Sequence, residues 1–242
     1  DRGIVDEESG DNWIEEDRVY ATIQGNVRGR GVLFDPGATG PNLATLTLKD
    51  LRVATGTGAI GYTDATGSFD FPTQTFSTTV SATLDGRWAA VASQTSPVLN
   101  VSSPADPSVP VEILFNPTGA QELPTAQVHG YYHTTTIHAW VQGRLPSVLG
   151  GIDTSLPVNV NLANTCNAFY DFVSSNFYRS GGGGPNTAYE TIIYHEYGHF
   201  VDDQAGGITE GGLSEGWGDV LAAYGTNQPL IGEGFFGPGT MV

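Results

Sequence analysis

Cysteine, lysine and long hydrophobic runs are all scarce in this sequence of 242 residues. The single cysteine, Cys166, excludes a disulfide bond within the chain. Lys49 is the only lysine, and nine basic side chains face 26 acidic ones, so that the formal net charge is -17. A charge this negative argues against nucleic acid and against anionic membrane surfaces as partners. No apolar run reaches the length of a membrane span.

Apolar residues and glycines, by contrast, are abundant enough for a folded chain that is rich in turns. Hydrophobic residues make up 39% of the chain, which argues against disorder, and 33 glycines and 14 prolines favour β-structure in part of it. The length allows one or two domains with a substantial core.

The first 18 residues are dense in Asp and Glu, and we expect them to form a solvated acidic tail. The acidic side chains between Asp6 and Asp17 could bind Ca²⁺, but their spacing matches no known calcium loop. The tail is therefore the better prediction for residues 1–18.

Residues 19–117 have the pattern of a small all-β sandwich. Apolar and polar side chains alternate along 19–24, 43–48 and 79–84, with glycine- and aspartate-rich turns between these segments. A last strand is predicted at 111–115. The turn that follows it leads us to place a domain boundary near residue 117.

One turn in this half carries a recognisable motif. In T-D-A-T-G-S-F-D-F at 63–71, a polar turn with Gly67 precedes a strand with Phe69 and Phe71 on one face. The segment resembles the T-D-x-x-G-x-F hairpin of carboxypeptidase-regulatory-like β-sandwich modules. An ordinary hairpin in another kind of sandwich is the alternative interpretation.

Residues 118–242 combine helices with strands. We predict helices over 125–142, 187–202 and 213–224, a strand at 158–162 and an edge strand or hairpin at 169–178. Thr187 and Glu190 fit a capping box at the start of the second helix. The expected fold class is thus multidomain α+β, with the sandwich followed by a helix-bearing domain.

The second predicted helix contains the motif His195-Glu196-Tyr197-Gly198-His199. Residues four apart share a face of a helix, so both imidazoles can bind one metal ion. Glu196 lies beside that face and can reach a metal-bound water without being a ligand. This H-E-x-x-H arrangement is that of zinc peptidases, in which the glutamate accepts a proton from the attacking water.

A catalytic zinc site needs a third protein ligand, and Glu215 is the candidate. It follows His195 by twenty residues, after a glycine-rich loop and at the start of the third predicted helix. Asp219 lies one turn further on, where it can accept the ring N–H of a ligand histidine and fix its tautomer.

Three further histidines lie on the first predicted helix. His129 and His133 are one turn apart, but His138 lies about half-way round the helix from His129. A three-histidine metal site is therefore not expected, and we predict packing or solvent-facing roles for these side chains.

The region around the motif resembles a known family. Residues 188–224 are similar to the zinc-site region of thermolysin-like, and especially fungalysin-like, metallopeptidases (gluzincins), whose third zinc ligand is the glutamate of an E-x-x-x-D helix. The N-A-F-Y segment at 167–170 resembles their edge strand above the metal, which implies that Asn167, Ala168 and Tyr170 contact the substrate backbone. The resemblance covers about residues 120–225. It implies that 118–242 form the N-terminal, zinc-helix half of such a domain.

Two features of the family pattern are missing. The family has a downstream histidine that stabilises the oxyanion, but no histidine follows His199, and residues 200–214 contain no tyrosine to assist it. The family's C-terminal helical domain, which forms the other wall of the cleft, would lie beyond Val242. Three explanations are open, in order of preference: the chain is a piece of a longer enzyme, it is completed by a second polypeptide, or it is a degenerate homologue that keeps zinc for structure.

The leading hypothesis is a zinc-dependent endopeptidase that acts on a protein or peptide substrate. One Zn²⁺ would be held by His195, His199 and Glu215, and Glu196 would act as general base and later as proton donor. The alternative is a catalytically degenerate, zinc-stabilised surface or structural protein that uses the peptidase fold as a scaffold. Acidity, scarce lysine and the resemblance together favour a secreted or cell-surface location, with the sandwich as an accessory module.

Overall fold

The computed structural model describes residues 4–5, 12–13, 21–32, 43–119, 121–145 and 151–240. Within these residues the chain has a mixed α+β fold that is mostly sheet, with two main sheets, a short ribbon and three helices. The strands are β1 (Ile4–Val5), β2 (Asn12–Trp13), β3 (Ile23–Val32), β4 (Leu43–Thr47), β5 (Leu51–Thr55), β6 (Ile60–Tyr62), β7 (Ser68–Phe71), β8 (Thr78–Gly86), β9 (Ala89–Ser93), β10 (Asn100–Ala105), β11 (Val111–Phe115), β12 (Leu156–Leu162), β13 (Ala168–Tyr170) and β14 (Ser175–Tyr178). The helices are α1 (Glu122–Arg144), α2 (Glu190–Gln204) and α3 (Gly211–Thr226).

Of the predicted acidic tail, the structure describes residues 4–5 and 12–13. β1 and β2 pair as an antiparallel ribbon, and the rest of residues 1–18, including the acidic side chains considered for Ca²⁺, lies outside the described residues.

The larger sheet joins strands from both halves of the chain. Its strands follow the order β13-β14-β12-β9-β8-β5-β6, with β10 also paired to β8. β12 runs parallel to β9, with Leu156 beside Ala89 and Val160 beside Ser93. The boundary predicted near residue 117 therefore does not separate two sheets, because β12, β13 and β14 extend a sheet that the first half begins.

The smaller sheet is centred on β3, which pairs with β11, β4 and β7. Every second residue of β3 is buried, and Ile23 and Val27 are wholly inaccessible to solvent. Gly25 shares that face, and a Cβ there would lie 2.0 Å from the carbonyl oxygen of Val111. Glycine is thus needed where β11 approaches β3 most closely. The alternation that predicts a half-buried strand is confirmed at 79–84, where β8 buries Val80, Ala82 and Leu84, whereas the segment predicted at 19–24 overlaps β3 only at its first two residues.

The T-D-x-x-G-x-F segment forms a turn between the two sheets. Oδ1 of Asp64 accepts the N–H groups of Thr66 and Ser68, and Gly67 takes a left-handed φ of 76°. Phe69 is 5% exposed, as is the second phenylalanine of β7, so the predicted apolar face is confirmed. The predicted hairpin is wrong, because β6 pairs with β5 and β7 pairs with β3.

Helix α1 packs against both sheets. It contacts β9 and β12 of the larger sheet and β3 of the smaller one. A Cβ on Gly130 would lie 3.1 Å from side-chain atoms of both Val158 and Val160, so the helix lies directly on β12. The hydroxyl of Tyr131 donates to the carbonyl of Lys49. These contacts place sheets and helix around one hydrophobic core.

The three histidines of α1 are buried packing residues, one of the two roles predicted for them. His129 links three parts of the chain: its Nε2 accepts the Val32 N–H (2.9 Å), and its Nδ1 donates to the Ala188 carbonyl (3.0 Å). His133 packs edge-to-face on His129, with ring centroids 5.2 Å apart. His138 stacks on Trp88 on another side of the helix. Burial lowers the pKa of His129 from 6.5 to about 4.

The depressed pKa of His129 predicts a loss of stability in acid. The unfolded chain binds a proton near pH 6.5 and the folded chain only near pH 4, so this contribution is complete above pH 6.5 and falls as pH drops towards 4. The slope is about 1.4 kcal/mol per pH unit for one such group. We expect the free energy of unfolding of His129→Gln, which keeps an acceptor for the Val32 N–H, to depend less steeply on pH by about that amount. Urea unfolding between pH 4.5 and 6.5 measures it, and equal slopes for the two proteins would contradict it.

Helices α2 and α3 match their predicted positions within three residues at each end. The predicted capping box is wrong, because α2 begins at Glu190 without a side-chain cap. The Thr187 hydroxyl instead donates to the Asn167 carbonyl and accepts the Tyr178 N–H, both at 2.9 Å. It therefore links the start of α2 to β14 and to the residue that precedes β13. Across the described part of the chain, no helix combines the length and apolar character that a bilayer crossing requires.

Candidate metal centre

The two histidines of the motif and Glu215 come together because α2 and α3 cross at a pair of glycines. A Cβ on Gly198 would lie 2.8 Å from the Cα of Gly218, so both positions must lack a side chain for this close approach. The indole N–H of Trp217 donates to the Gly198 carbonyl at 3.1 Å and holds the crossing. The first turn of α3 thereby lies over the outer face of α2.

Three acceptor groups converge at this crossing. Nε2 of His195 and Nε2 of His199 are 3.1 Å apart. One carboxylate oxygen of Glu215 lies 3.2 Å from Nε2 of His195, and the other lies 3.6 Å from Nε2 of His199. Among the described residues, these three form the one group whose ligand atoms are close enough together to share a metal ion.

The hydrogen-bond partner of each Nδ1 atom determines which tautomer the histidine adopts. Nδ1 of His195 lies 2.9 Å from a carboxylate oxygen of Asp219, which can only accept, so this nitrogen carries the hydrogen. Nδ1 of His199 lies 3.2 Å from the Ser214 hydroxyl. With hydrogens on both Nδ1 atoms, each Nε2 presents a lone pair towards the other and towards Glu215.

This donor set fits a small divalent cation. Two lone pairs and a carboxylate that face one another repel unless a positive charge lies between them. Tetrahedral zinc with Zn–N distances of about 2.0–2.1 Å needs an N···N separation of about 3.3 Å, close to the observed 3.1 Å. Two imidazoles and one carboxylate are also the ligands of catalytic zinc sites that keep a position open.

Glu196 is buried beside these ligands. It is 5% exposed, and its Oε2 has no hydrogen-bond partner among the described residues. Burial raises the pKa of its carboxyl from 4.5 to about 8, and the negative charge of Glu215 adds to this, while the backbone N–H of Tyr170 opposes it. A cation at the ligands would act against both raising effects.

The ligands and Glu196 line the floor of a cleft of about 420 Å³. β13, the edge strand of the larger sheet, forms one wall, with Asn167, Ala168 and Tyr170 among its lining residues. The Asn167 carbonyl accepts the Tyr178 N–H on the inner side, so the alternate residue Ala168 turns its backbone polar groups to the cleft. The Tyr170 hydroxyl donates to Asp203 at 3.0 Å and links this wall to the end of α2.

The structure brings the predicted site residues into one place. His195, Glu196, His199, Glu215 and the three residues of the edge segment line the same cleft, and Asp219 supports His195 from behind. Sequence reasoning missed Ser214 and Asp203, which also line it. Ser214 directly precedes the predicted ligand Glu215, and that adjacency was the signal that could have identified it.

The described lining of the cleft carries no lysine or arginine, and its only histidines are the two proposed ligands. A cationic side chain able to stabilise an oxyanion opposite Glu196 is therefore not among these lining residues. This agrees with the absence of any histidine after His199 in the sequence.

The chain matches no model of a known protein family, and no curated protein is significantly similar to it in sequence.

Proposed function

We propose that this chain carries the metal centre of a zinc-dependent endopeptidase. One observation supports the proposal most. The unprotonated Nε2 atoms of the two motif histidines and the carboxylate of Glu215 converge beside Oε2 of Glu196, which is buried and has no hydrogen-bond partner among the described residues. A site that only stabilised the fold would not need the buried carboxylate, which is costly without a partner. An open cleft adjoins this group, and β13 in its wall has a strand partner on one side alone among the described residues.

Each residue then has a defined task in peptide hydrolysis. His195, His199 and Glu215 would hold the zinc, which when bound supplies an acidified water and polarises the carbonyl group. Glu196 would act as the general base that takes up a proton from the attacking water, and then as the acid that returns it to the leaving amine. Asp219 holds the His195 ring in the tautomer that leaves Nε2 free to bind.

The substrate that fits this cleft is an extended peptide. The outward backbone groups of Ala168 can pair with a substrate strand, as at other exposed sheet edges. Such pairing reads the main chain, which suits an enzyme that accepts many sequences. Asn167 and Tyr170 would contact the same segment.

The resemblance to thermolysin-like and fungalysin-like enzymes supplies the wider part of the proposal. In it, residues 118–242 are the zinc-helix half of such a domain, residues 19–117 are a β-rich accessory part whose strands β8 and β9 continue the same sheet, and the protein acts outside the cell. A second chain or a further domain completes the cleft and brings a cationic oxyanion donor, which the described lining does not contain.

A zinc-stabilised scaffold is the second candidate. The cleft lining described above favours it, since it offers no cationic side chain to stabilise the oxyanion. In that case the same three ligands would hold zinc, and no peptide would be cleaved.

Metal removal tests the proposal directly. We expect the purified protein to carry one zinc, to lose hydrolysis of an unfolded polypeptide after treatment with a chelator, and to regain it when one equivalent of Zn²⁺ is added. Native mass spectrometry gives the stoichiometry, and peptide mapping gives the cleavage. Protein that binds no zinc after reconstitution would refute the metal centre, and zinc-bound protein without cleavage would favour the scaffold.

A further inference from the structure

His199 is backed by a two-residue chain that ends in a buried carboxylate. Its Nδ1 lies 3.2 Å from the Ser214 hydroxyl, and the same hydroxyl lies 3.0 Å from Oδ2 of Asp202. Asp202 is on α2, one turn beyond His199 on the side away from Nε2, and only 9% of it is exposed. No role was predicted for Asp202 from its position in the sequence.

The direction of each hydrogen bond follows from what the end group can do. The carboxylate of Asp202 can only accept, so the Ser214 hydroxyl donates to it. The hydroxyl oxygen is then left as an acceptor, and the His199 Nδ1–H donates to it. The negative charge at one end therefore requires the hydrogen on Nδ1 and a lone pair on Nε2.

The other oxygen of Asp202 fixes the loop between the helices. Oδ1 accepts the Ile208 N–H at 2.7 Å, and the Asp202 carbonyl accepts the Gly207 N–H at 2.9 Å. One buried side chain thus holds the end of α2, the connecting loop and the first turn of α3. That turn carries Glu215, so the position of the third ligand depends on the same residue.

We propose that Asp202 and Ser214 are positioning residues for the metal centre, forming a relay that orients His199 as Asp219 orients His195. Each ligand histidine then has its own carboxylate, one in direct contact and one through a hydroxyl. The inference rests on the metal centre proposed above, and it concerns how tightly that centre holds zinc rather than which bond is cleaved.

The test is a double-mutant cycle read as zinc affinity. We expect Ser214→Ala to weaken zinc binding about 10–100-fold, the range for loss of an outer partner, and Ser214→Thr, which keeps the hydroxyl, to restore most of it. Asp202→Asn should weaken binding in the wild-type background and have little further effect in the Ser214→Ala background, because the amide oxygen can still accept the Ile208 N–H and only the contact with that hydroxyl is altered. Competition with a chromogenic chelator measures each affinity.

A second readout separates the relay from general loosening of the fold. In the zinc-loaded wild type, NMR should show a protected Nδ1–H on His199, and Ser214→Ala should remove that protection while the His195 signal stays. Ser77→Ala is the matched control, because its hydroxyl also donates to a carboxylate, that of Asp106, at a site with no histidine. It should leave both readouts unchanged.

The outcomes distinguish the relay from the proposed function. Unchanged zinc affinity and an unchanged Nδ1–H signal in Ser214→Ala would overturn the relay while leaving the peptidase proposal intact. Zinc binding that depends on Ser214 without any peptide cleavage would support the relay and count against the peptidase. A wild-type chain that binds no zinc would overturn both.

Discussion

Replacement of Glu196 by Gln is expected to lower kcat for peptide hydrolysis about 10³-fold while leaving one zinc bound. General bases of this kind contribute roughly 10²–10⁴-fold, and the amide cannot accept the proton of the attacking water. Zinc is retained because Glu196 is not one of the three convergent ligands. Gln has nearly the same shape and removes a charge from a side chain that is 5% exposed, so we expect the fold to persist.

The same variant separates the two candidate functions. Steady-state kinetics on a fluorogenic peptide and zinc content by mass spectrometry are measured for the wild type, for Glu196→Gln and for Glu112→Gln, a solvent-exposed control on β11. An enzyme loses turnover only in the first variant. Equal turnover in all three would exclude Glu196 as the base, and zinc binding without turnover in any of them would leave the scaffold as the better account.

The ligand pair could be predicted from the sequence because its geometry is local. Histidines at i and i+4 of a helix share a face, whatever surrounds the helix. Glu215 is different, since twenty residues separate it from His195 and its placement depends on how α2 and α3 cross. The contact of Gly198 with Gly218 sets that crossing, and neither glycine signals its partner in the sequence. Glu215 was predictable only once the histidine motif required a third ligand, and the resemblance to a family supported the choice.

Strand positions were predictable where one face is buried, but strand partners were not. Alternation marks a strand such as β8 by its own residues. The parallel pairing of β12 with β9 joins segments on either side of residue 117, and no local pattern encodes it. For the same reason the turn at Gly67 was predicted correctly, while the pairing of the strands on its two sides was not.

The relay behind His199 was missed for a related reason. Asp202 and Ser214 are twelve residues apart, and serine and aspartate are common at helix ends for local reasons. Their contact exists only because the loop folds back on Asp202 through the Ile208 N–H. Side chains that support ligands are in general less visible in a sequence than the ligands themselves.

Replacement of Glu215 by Gln is expected to weaken zinc binding on the order of 10³-fold. This is more than the loss expected from removing Asp219 or Ser214, which contact the histidines rather than the metal. The carboxylate reaches both Nε2 atoms, at 3.2 and 3.6 Å, and supplies the only negative charge among the three convergent groups. An amide oxygen is a weaker ligand and leaves the charge of the cation uncompensated. Competition with a chelator of known affinity measures the loss.

Glu210→Gln provides the matched control for this experiment. Glu210 is exposed, immediately precedes α3 and undergoes the same chemical change five residues from Glu215, so both variants alter the net charge of the segment equally. Long-range attraction of zinc by the acidic surface would weaken binding in both to a similar, small degree, and salt would screen it. Direct coordination weakens binding in Glu215→Gln alone and persists at high salt. Equal affinities in the two variants would therefore remove Glu215 from the ligand set and leave two histidines, too few for the catalytic zinc site proposed here.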